Sequence, residues 1–219
     1  MNNESITSHY DDKYFSSYQK EVGDLGGKAN LFKFEKSINT DDTVLDFGCG
    51  GGFLLNNINC KNKLGVEINP VAREYCINTF NIPCLEEIDS VEDNSIDVII
   101  SNHCLEHVIN PYELITKMYQ KLKIGGKIVI VIPLDSHKYT WKPNDVNNHL
   151  YSFSPMNLGN QLHGVGFKDI STGALLHKWP PAYKYVYSLF GSRIFHMLGW
   201  VYGAFNQRWV QVKGEGIKR

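Results

Sequence analysis

"VLDFGCGGGFLL", residues 44–55, runs an apolar stretch ending in Asp46 and Phe47 into four glycines, Gly48, Gly50, Gly51 and Gly52, within five positions. Glycine weakens helices and strands alike, so a cluster at the joint between them serves the backbone: a sharp turn, or a close approach to a bound molecule. "VLDF" reads as a buried strand and "FLLNNIN" as the helix behind the turn. A helix N-terminus in that place adds a dipole favourable to a ligand. Glu67 then closes the next strand, "KLGVEIN", about twenty residues after Asp46, where a carboxylate accepts both hydroxyls of a ribose. The two features together point to a nucleoside-containing cofactor rather than a bare turn.

Outward from this stretch, strand and helix patterns alternate. "NPVAREYCINTF" is a helix with Asn69 as N-cap and Pro70 at its first position. "IPCLEEI" is a third strand, and "SIDVIISN" a fourth, apolar enough to be buried on both faces. "NPYELITKMYQKL" is a helix, which "KIGG" is expected to stop at Gly125 or Gly126. "KIVIVIP" is a fifth strand. After a long loop over 135–153, "SPMNLGNQLHGVGF" is a helix capped by Ser154, and "FKDISTGA" and "RWVQVKG" are two late strands. Upstream, residues 1–27 are polar with interspersed Tyr and Phe and end in "GDLGG", and "KANLFKFEKSI" places Leu31, Phe34 and Ile38 at helical spacing. The pattern describes an α/β protein with a doubly wound, mostly parallel sheet covered by helices on both faces. In such sheets ligands meet the carboxyl ends of the strands, so the loops after strands one, two, four and five hold the chemistry.

The 219 residues suit one domain, and a formal net charge of −1 gives no global basic bias toward nucleic acid. The five cysteines contain no C-x-x-C pair and are odd in number, which fits a reducing, cytoplasmic setting better than a disulfide framework. "MNNESITSHYDDKYF" shows no signal-peptide pattern, and no run reaches the length of a membrane span.

A dinucleotide site of the form G-x-G-x-x-G needs glycine at position 53, where Phe53 stands. Gly48, Gly50 and Gly52, preceded by Asp46, instead resemble motif I of the class I S-adenosylmethionine-dependent methyltransferases. "GVEINPVAREYC", the stretch from "EEIDSVEDNSIDVIISN" to "KIVIVIP", and "HLYSFSPMNLGNQLHGVGF" resemble later parts of that family, so the likeness runs over about residues 40–170. It implies a seven-stranded Rossmann-like methyltransferase fold, with an N-terminal helical cap segment over 1–39 and the S-adenosylmethionine-binding domain over 40–219. It implies that Asp46, Gly48, Gly50 and Gly52 hold the methionine end of S-adenosyl-L-methionine. Glu67 would take the ribose, Ile68 would pack on the adenine, Glu86 or Glu87 would lie near its amino group, and Asn102 would sit beside the methionine moiety. The acceptor is expected to be a small molecule, a sugar or surface-glycan precursor or a phenolic or quinone precursor, methylated on oxygen. The alternatives are a non-catalytic S-adenosylmethionine-binding module and a nucleotide-dependent oxidoreductase.

A sulfonium methyl is already activated, so the protein mainly aligns donor and acceptor, and a hydroxyl acceptor also needs a base. His103 and His149 are the expected catalytic residues. His107 is expected to support the fold, and His137, Asp145 and Tyr151 lie in the same loops. "HCLEH" has the form H-x-x-E-H over His103, Glu106 and His107; the reading assigns no metal ligand, with a divalent metal as the less favoured alternative. His9, Tyr10, Tyr14 and Tyr18 form either a segment closing over the cofactor or an ordinary aromatic packing face. Residues 180–206 are expected to form a helical insertion with an apolar stripe of Tyr183, Val186, Phe190, Ile194, Met197, Val201 and Phe205. Core packing or an acceptor lid is the favoured role; peripheral membrane contact and a homodimer contact are the others.

Overall fold

Val44, Leu45 and Asp46 occupy the buried middle of β1 (Thr43–Phe47), the strand on which the sheet is wound. The computed structural model describes residues 20–135, 139–143, 145, 147–206 and 210–219. His9, Tyr10, Tyr14, Tyr18 and His137 lie outside the described residues. β1 pairs in parallel with β2 (Asn62–Val66) on one side and β4 (Ile96–Asn102) on the other. β3 (Cys84–Leu85) and β5 (Leu122–Leu134) extend the two sides. β7 (Val210–Ile217) runs antiparallel between β5 and β6 (Lys168–Leu175), giving the seven-stranded order β3-β2-β1-β4-β5-β7-β6. The chain therefore reverses direction across the sheet between β1 and β4, and this switch sets the loop after β1 beside the loop after β4.

Six helices complete the described chain: α1 (Lys20–Asn30), α2 (Phe53–Asn57), α3 (Pro70–Phe80), α4 (Pro111–Lys121), α5 (Pro155–Val165) and α6 (Tyr183–Phe205). The strand period of two sorts β5 onto two cores. Ile128, Ile130 and Ile132 join Leu114, Met118 and Leu162 of α4 and α5. Val129 and Val131 face the other way, onto Phe34, Leu54, Leu55 and Cys76. Residues of both sets are almost fully buried, which is why the central strands are Val/Ile-rich without alternation. The caps expected at Asn69 and Ser154 form: Asn69 accepts from the Val71 and Ala72 amides, and Ser154 Oγ from the Asn157 amide.

Four expectations are corrected. "GDLGG" lies inside α1 rather than ending a polar segment, because the helix needs glycine to approach α2: a Cβ at Gly23 would strike the Phe53 ring, and one at Gly27 the Phe53 carbonyl. Beyond α1 the chain makes two 3-10 turns, Leu31–Lys33 and Glu35–Ser37, instead of one helix, although Phe34 is buried as its spacing indicates. "KIGG" does not stop α4. The helix ends at Lys121 with Leu122 already extended, and the glycines belong to β5, where the Gly125 amide donates to Lys218 O at 2.7 Å. Finally, most of the apolar stripe foreseen on α6 points outward: Phe190, Ile194, Met197, Val201 and Phe205 are exposed, and Phe195, Gly199 and Gly203 form the buried face.

Candidate active site

The turn after β1 takes the shape that its glycines allow. Gly48, Gly50 and Gly52 adopt φ of +74°, +54° and +78°, a region costly for any residue with a Cβ. Space is also closed there, since a Cβ at Gly52 would lie 2.5 Å from Cys76 Sγ and one at Gly48 would meet Cys104. Gly48 and Cys49 donate their amides to Val66 O at 2.8 and 3.2 Å, which ties the turn to the end of β2. Glu67 completes the tie. Its Oε2 accepts from the Gly50 amide at 2.8 Å and its Oε1 from the Asn69 amide at 2.9 Å. Each carboxylate oxygen keeps a lone pair for a further donor, such as a vicinal diol. Burial raises the Glu67 pKa, while the two amides and Arg73 oppose the shift.

A cavity of about 660 Å³ opens in front of this turn, lined among others by Gly48, Glu67, Ile68, Glu86, His103 and His107. That volume is within the range of small-molecule sites. Ile68 offers an exposed apolar side chain to it, and Glu86 stands at its rim, paired with Arg73 at 3.1 Å. Asp46 lies beneath the turn, 2% exposed, with its pKa raised to about 8 by burial and by the neighbouring Cys76 and Glu67. These residues fit a nucleoside ligand: a backbone cradle with no room for side chains, a hydroxyl-accepting carboxylate and an apolar wall.

The carboxyl ends of β4 and β5 carry the second half of the site. His103 holds a left-handed φ of +54°, a strained position for a non-glycine residue, and its amide donates to Val131 O at 2.8 Å. Asn102 Oδ1 accepts from Lys33 Nζ at 3.1 Å. Glu106 is fully buried; among the described residues its carboxylate oxygens have no hydrogen-bond partner, and His107 Nε2 and His103 Nδ1 stand 3.6 and 3.9 Å from Oε1. Burial and the nearby Asp135 push its pKa up to about 8, with Lys33 opposing. Its own carbonyl accepts from the Leu150 and Tyr151 amides, and this folds the 149–151 segment over the site. The His149 ring thereby lies 5.1 Å from the His107 ring, and its Nδ1 is 3.0 Å from both Asp135 oxygens. An Nδ1–H donated to Asp135 leaves Nε2 as the basic nitrogen.

Of the two expected catalytic histidines, His103 lines the cavity, and His149 stands behind His107, held by Asp135. His107, expected to be structural, lines the cavity as well. Around the H-x-x-E-H run, among the described residues, Glu106, His107 and His149 bring ligand atoms within 4.8 Å of one another, whereas His103, with Nδ1 3.9 Å from Glu106 Oε1, does not join the trio. Asp145 serves a local turn through the Asn148 amide, and Tyr151 donates its hydroxyl to Ile109 O. Sequence reasoning missed Lys33 and Asp135. Asp135 was discoverable, as the first acid after strand five. Lys33 was not: its approach to Asn102 spans 69 positions, and burial lowers its pKa to about 7.

A mostly parallel sheet in this order, with a left-handed glycine turn after β1 and a ribose-competent carboxylate after β2, defines a Rossmann-like methyltransferase fold. A family model described as a methyltransferase domain matches residues 14–172, and the chain belongs to that family. An uncharacterized methyltransferase of Schizosaccharomyces pombe is 32% identical over 81 residues, covering 33% of this chain and 31% of that protein. A ribosomal protein L11 methyltransferase of Clostridium botulinum is 38% identical over 68 residues, 30% of this chain and 22% of that one. The matched chain thus spans a third or less of the length of these relatives. Among solved structures, phosphoethanolamine N-methyltransferase 2 of Haemonchus contortus, in complex with phosphomonomethylethanolamine and S-adenosylhomocysteine, superposes with a TM-score of 0.69 at 16% identity. That match covers 97% of this chain and 60% of the other.

Proposed function

We propose that this protein transfers a methyl group from S-adenosyl-L-methionine to an oxygen of a small-molecule acceptor, a sugar or surface-glycan precursor or a phenolic or quinone precursor. The observation that carries the reading is the Glu67-pinned glycine turn opening on a cavity that His103 and His107 also line, with His149, oriented by Asp135, directly behind His107. The named acceptors of the relatives differ from one another, so the acceptor chemistry is argued from this chain's own residues. When bound, S-adenosylmethionine supplies a methyl on a sulfonium that needs no acid to react. Gly48, Gly50 and Gly52 let backbone lie against the donor, with Asp46 beneath them, and Glu67 accepts its ribose hydroxyls. Ile68 walls the adenine side, Glu86 stands by its edge, and Asn102, held by Lys33, stands at the methionine end. A hydroxyl acceptor must lose its proton as the methyl arrives, and His149 is the base, oriented by Asp135. His103, at the cavity wall, positions the acceptor. Equilibrium dialysis tests the donor half: wild-type protein is expected to bind S-adenosylmethionine and S-adenosylhomocysteine. Absence of both affinities overturns the proposal, whereas binding without methyl incorporation into any acceptor in a labelled-donor extract screen favours the non-catalytic module.

For the base, His149→Gln is expected to lower kcat by about a hundredfold or more while leaving S-adenosylhomocysteine affinity unchanged. A retained kcat would remove His149 from the role. The buried Glu106 carboxylate, without a hydrogen bond among the described residues and 3.6 Å from His107 Nε2, favours one second reading, in which Glu106, His107 and His149 hold a divalent cation that binds the acceptor oxygen. Chelation separates the two. Activity unchanged after exhaustive EDTA treatment leaves the base; activity lost and then restored by Mg²⁺ or Zn²⁺ gives the trio to the cation.

A further inference from the structure

The outward half of α6 is apolar. Tyr185, Leu189, Phe190, Met197, Val201 and Phe205 are each more than half exposed, and Trp200 is exposed beside them. A solvated helix places its polar residues there instead. The orientation is enforced from the inside. A Cβ at Gly203 would collide with the Leu176 carbonyl and one at Gly199 with the His177 ring, so only this edge of the helix fits against the 176–178 backbone. Lys178 seals the contact by donating its amide to Gly199 O at 3.1 Å. Gly191, at φ +73°, interrupts the helix, and each segment turns large apolar side chains outward, Tyr185, Leu189 and Phe190 before it and Met197, Val201 and Phe205 after it, while Phe195 is buried. An exposed apolar surface of this kind marks a contact face.

The charge pattern identifies what covers it. Between Asp169 and Glu215 the sequence carries five basic residues (Lys178, Lys184, Arg193, Arg208 and Lys213) and no acidic one; Lys213 pairs with Glu215 at the edge of this stretch, and Lys178 lies over the Tyr202 ring. In the rest of the chain, seventeen basic residues are outnumbered by twenty-three acidic ones. Lys184 and Arg193 are the charged residues of α6, and both are exposed. A second copy docking through the same face would set cation against cation, whereas an anionic bilayer is complementary. Tyr and Trp side chains on the face suit the headgroup level, where an apolar ring and a polar tip are both satisfied. No helix among the described residues is long and apolar enough to cross a membrane, which leaves a helix lying in the interface plane. We propose that α6 docks the protein on anionic lipid bilayers, with its apolar face in the headgroup–acyl boundary and Lys184 and Arg193 against lipid phosphates. The inference does not depend on methyl transfer.

Vesicle co-sedimentation of the full chain tests it, with phosphatidylcholine alone and with added phosphatidylglycerol. Binding is expected with the anionic vesicles, accompanied by a blue shift of tryptophan emission. Phe190→Ser/Met197→Ser is expected to weaken it by about tenfold or more, and Lys184→Gln/Arg193→Gln to remove about tenfold or more of the anionic preference. These side chains are exposed, so both variants should melt like the wild type, which separates lost binding from lost fold. No sedimentation with anionic vesicles, or equal binding to neutral and anionic ones, overturns the proposal. So does a solution dimer, seen by light scattering, that Phe190→Ser/Met197→Ser dissociates and anionic vesicles leave intact, since the face then belongs to a second copy.

Discussion

Glu67→Ala is expected to lower affinity for S-adenosylhomocysteine by about a hundredfold or more, the largest single loss at the donor site. Two effects add. The variant loses the acceptor for ribose hydroxyls, and it frees the Gly50 and Asn69 amides that the carboxylate holds at 2.8 and 2.9 Å. Hydrogen bonds to a charged acceptor contribute about 1.5–3 kcal/mol each, and about 1.4 kcal/mol corresponds to tenfold in affinity. Part of the loss reflects a turn that no longer stays in shape. Glu67→Gln should fall between alanine and wild type, because its one carbonyl oxygen still serves one of the two amides. Calorimetric titration with S-adenosylhomocysteine gives the measurement, and an affinity within about twofold of wild type for the alanine variant would take Glu67 out of the site.

Asp46→Asn is expected to stabilise the fold at alkaline pH while weakening donor binding. Burial raises the Asp46 pKa to about 8 in the folded protein, against 3.8 for the unperturbed group. Between those values the folded state keeps a proton that the unfolded chain has released. Stability therefore falls as pH rises through this window, and the full penalty stands above the folded pKa. At about 1.4 kcal/mol per pKa unit the penalty is on the order of several kcal/mol, reduced by whatever relaxation the ionised group can reach. The asparagine cannot ionise and escapes it. Melting temperatures from pH 5 to pH 9 should decline for wild type and stay flatter for the variant, with the gap widest at the alkaline end. Parallel curves would mean that Asp46 titrates alike in both states.

The parts of the proposed donor site could be named from one line of sequence because they lie on consecutive elements. The Asp46 to Glu67 spacing is one strand–turn–helix–strand unit, and the left-handed conformations of Gly48, Gly50 and Gly52 follow from the one residue type that adopts them freely. Phe53 argued correctly against a dinucleotide turn, but its structural role was hidden. Its ring packs 5.4 Å from Tyr75 and 5.6 Å from Phe80, and it receives the glycine edge of α1. The proposed acceptor half showed in the sequence only as a set of histidines. His149 owes its orientation to Asp135, on a different element, and burial pushes the Glu106 pKa up to about 8, a property of its surroundings rather than of its residue type.

The sequence by itself determined the strand–helix alternation, the class of sheet, the caps at Asn69 and Ser154, and the glycine turn with its carboxylate. All of these depend on local periodicity, local backbone preference or short spacing. Only the tertiary structure decided that β7 runs back between β5 and β6, that Lys33 reaches Asn102, and that Glu106, His107 and His149 meet while His103 stays outside the trio. It also decided which side of α6 is inward. A helix that is apolar nearly all round has no preferred face in its periodicity, and the choice fell to the close approach that Gly199 and Gly203 permit.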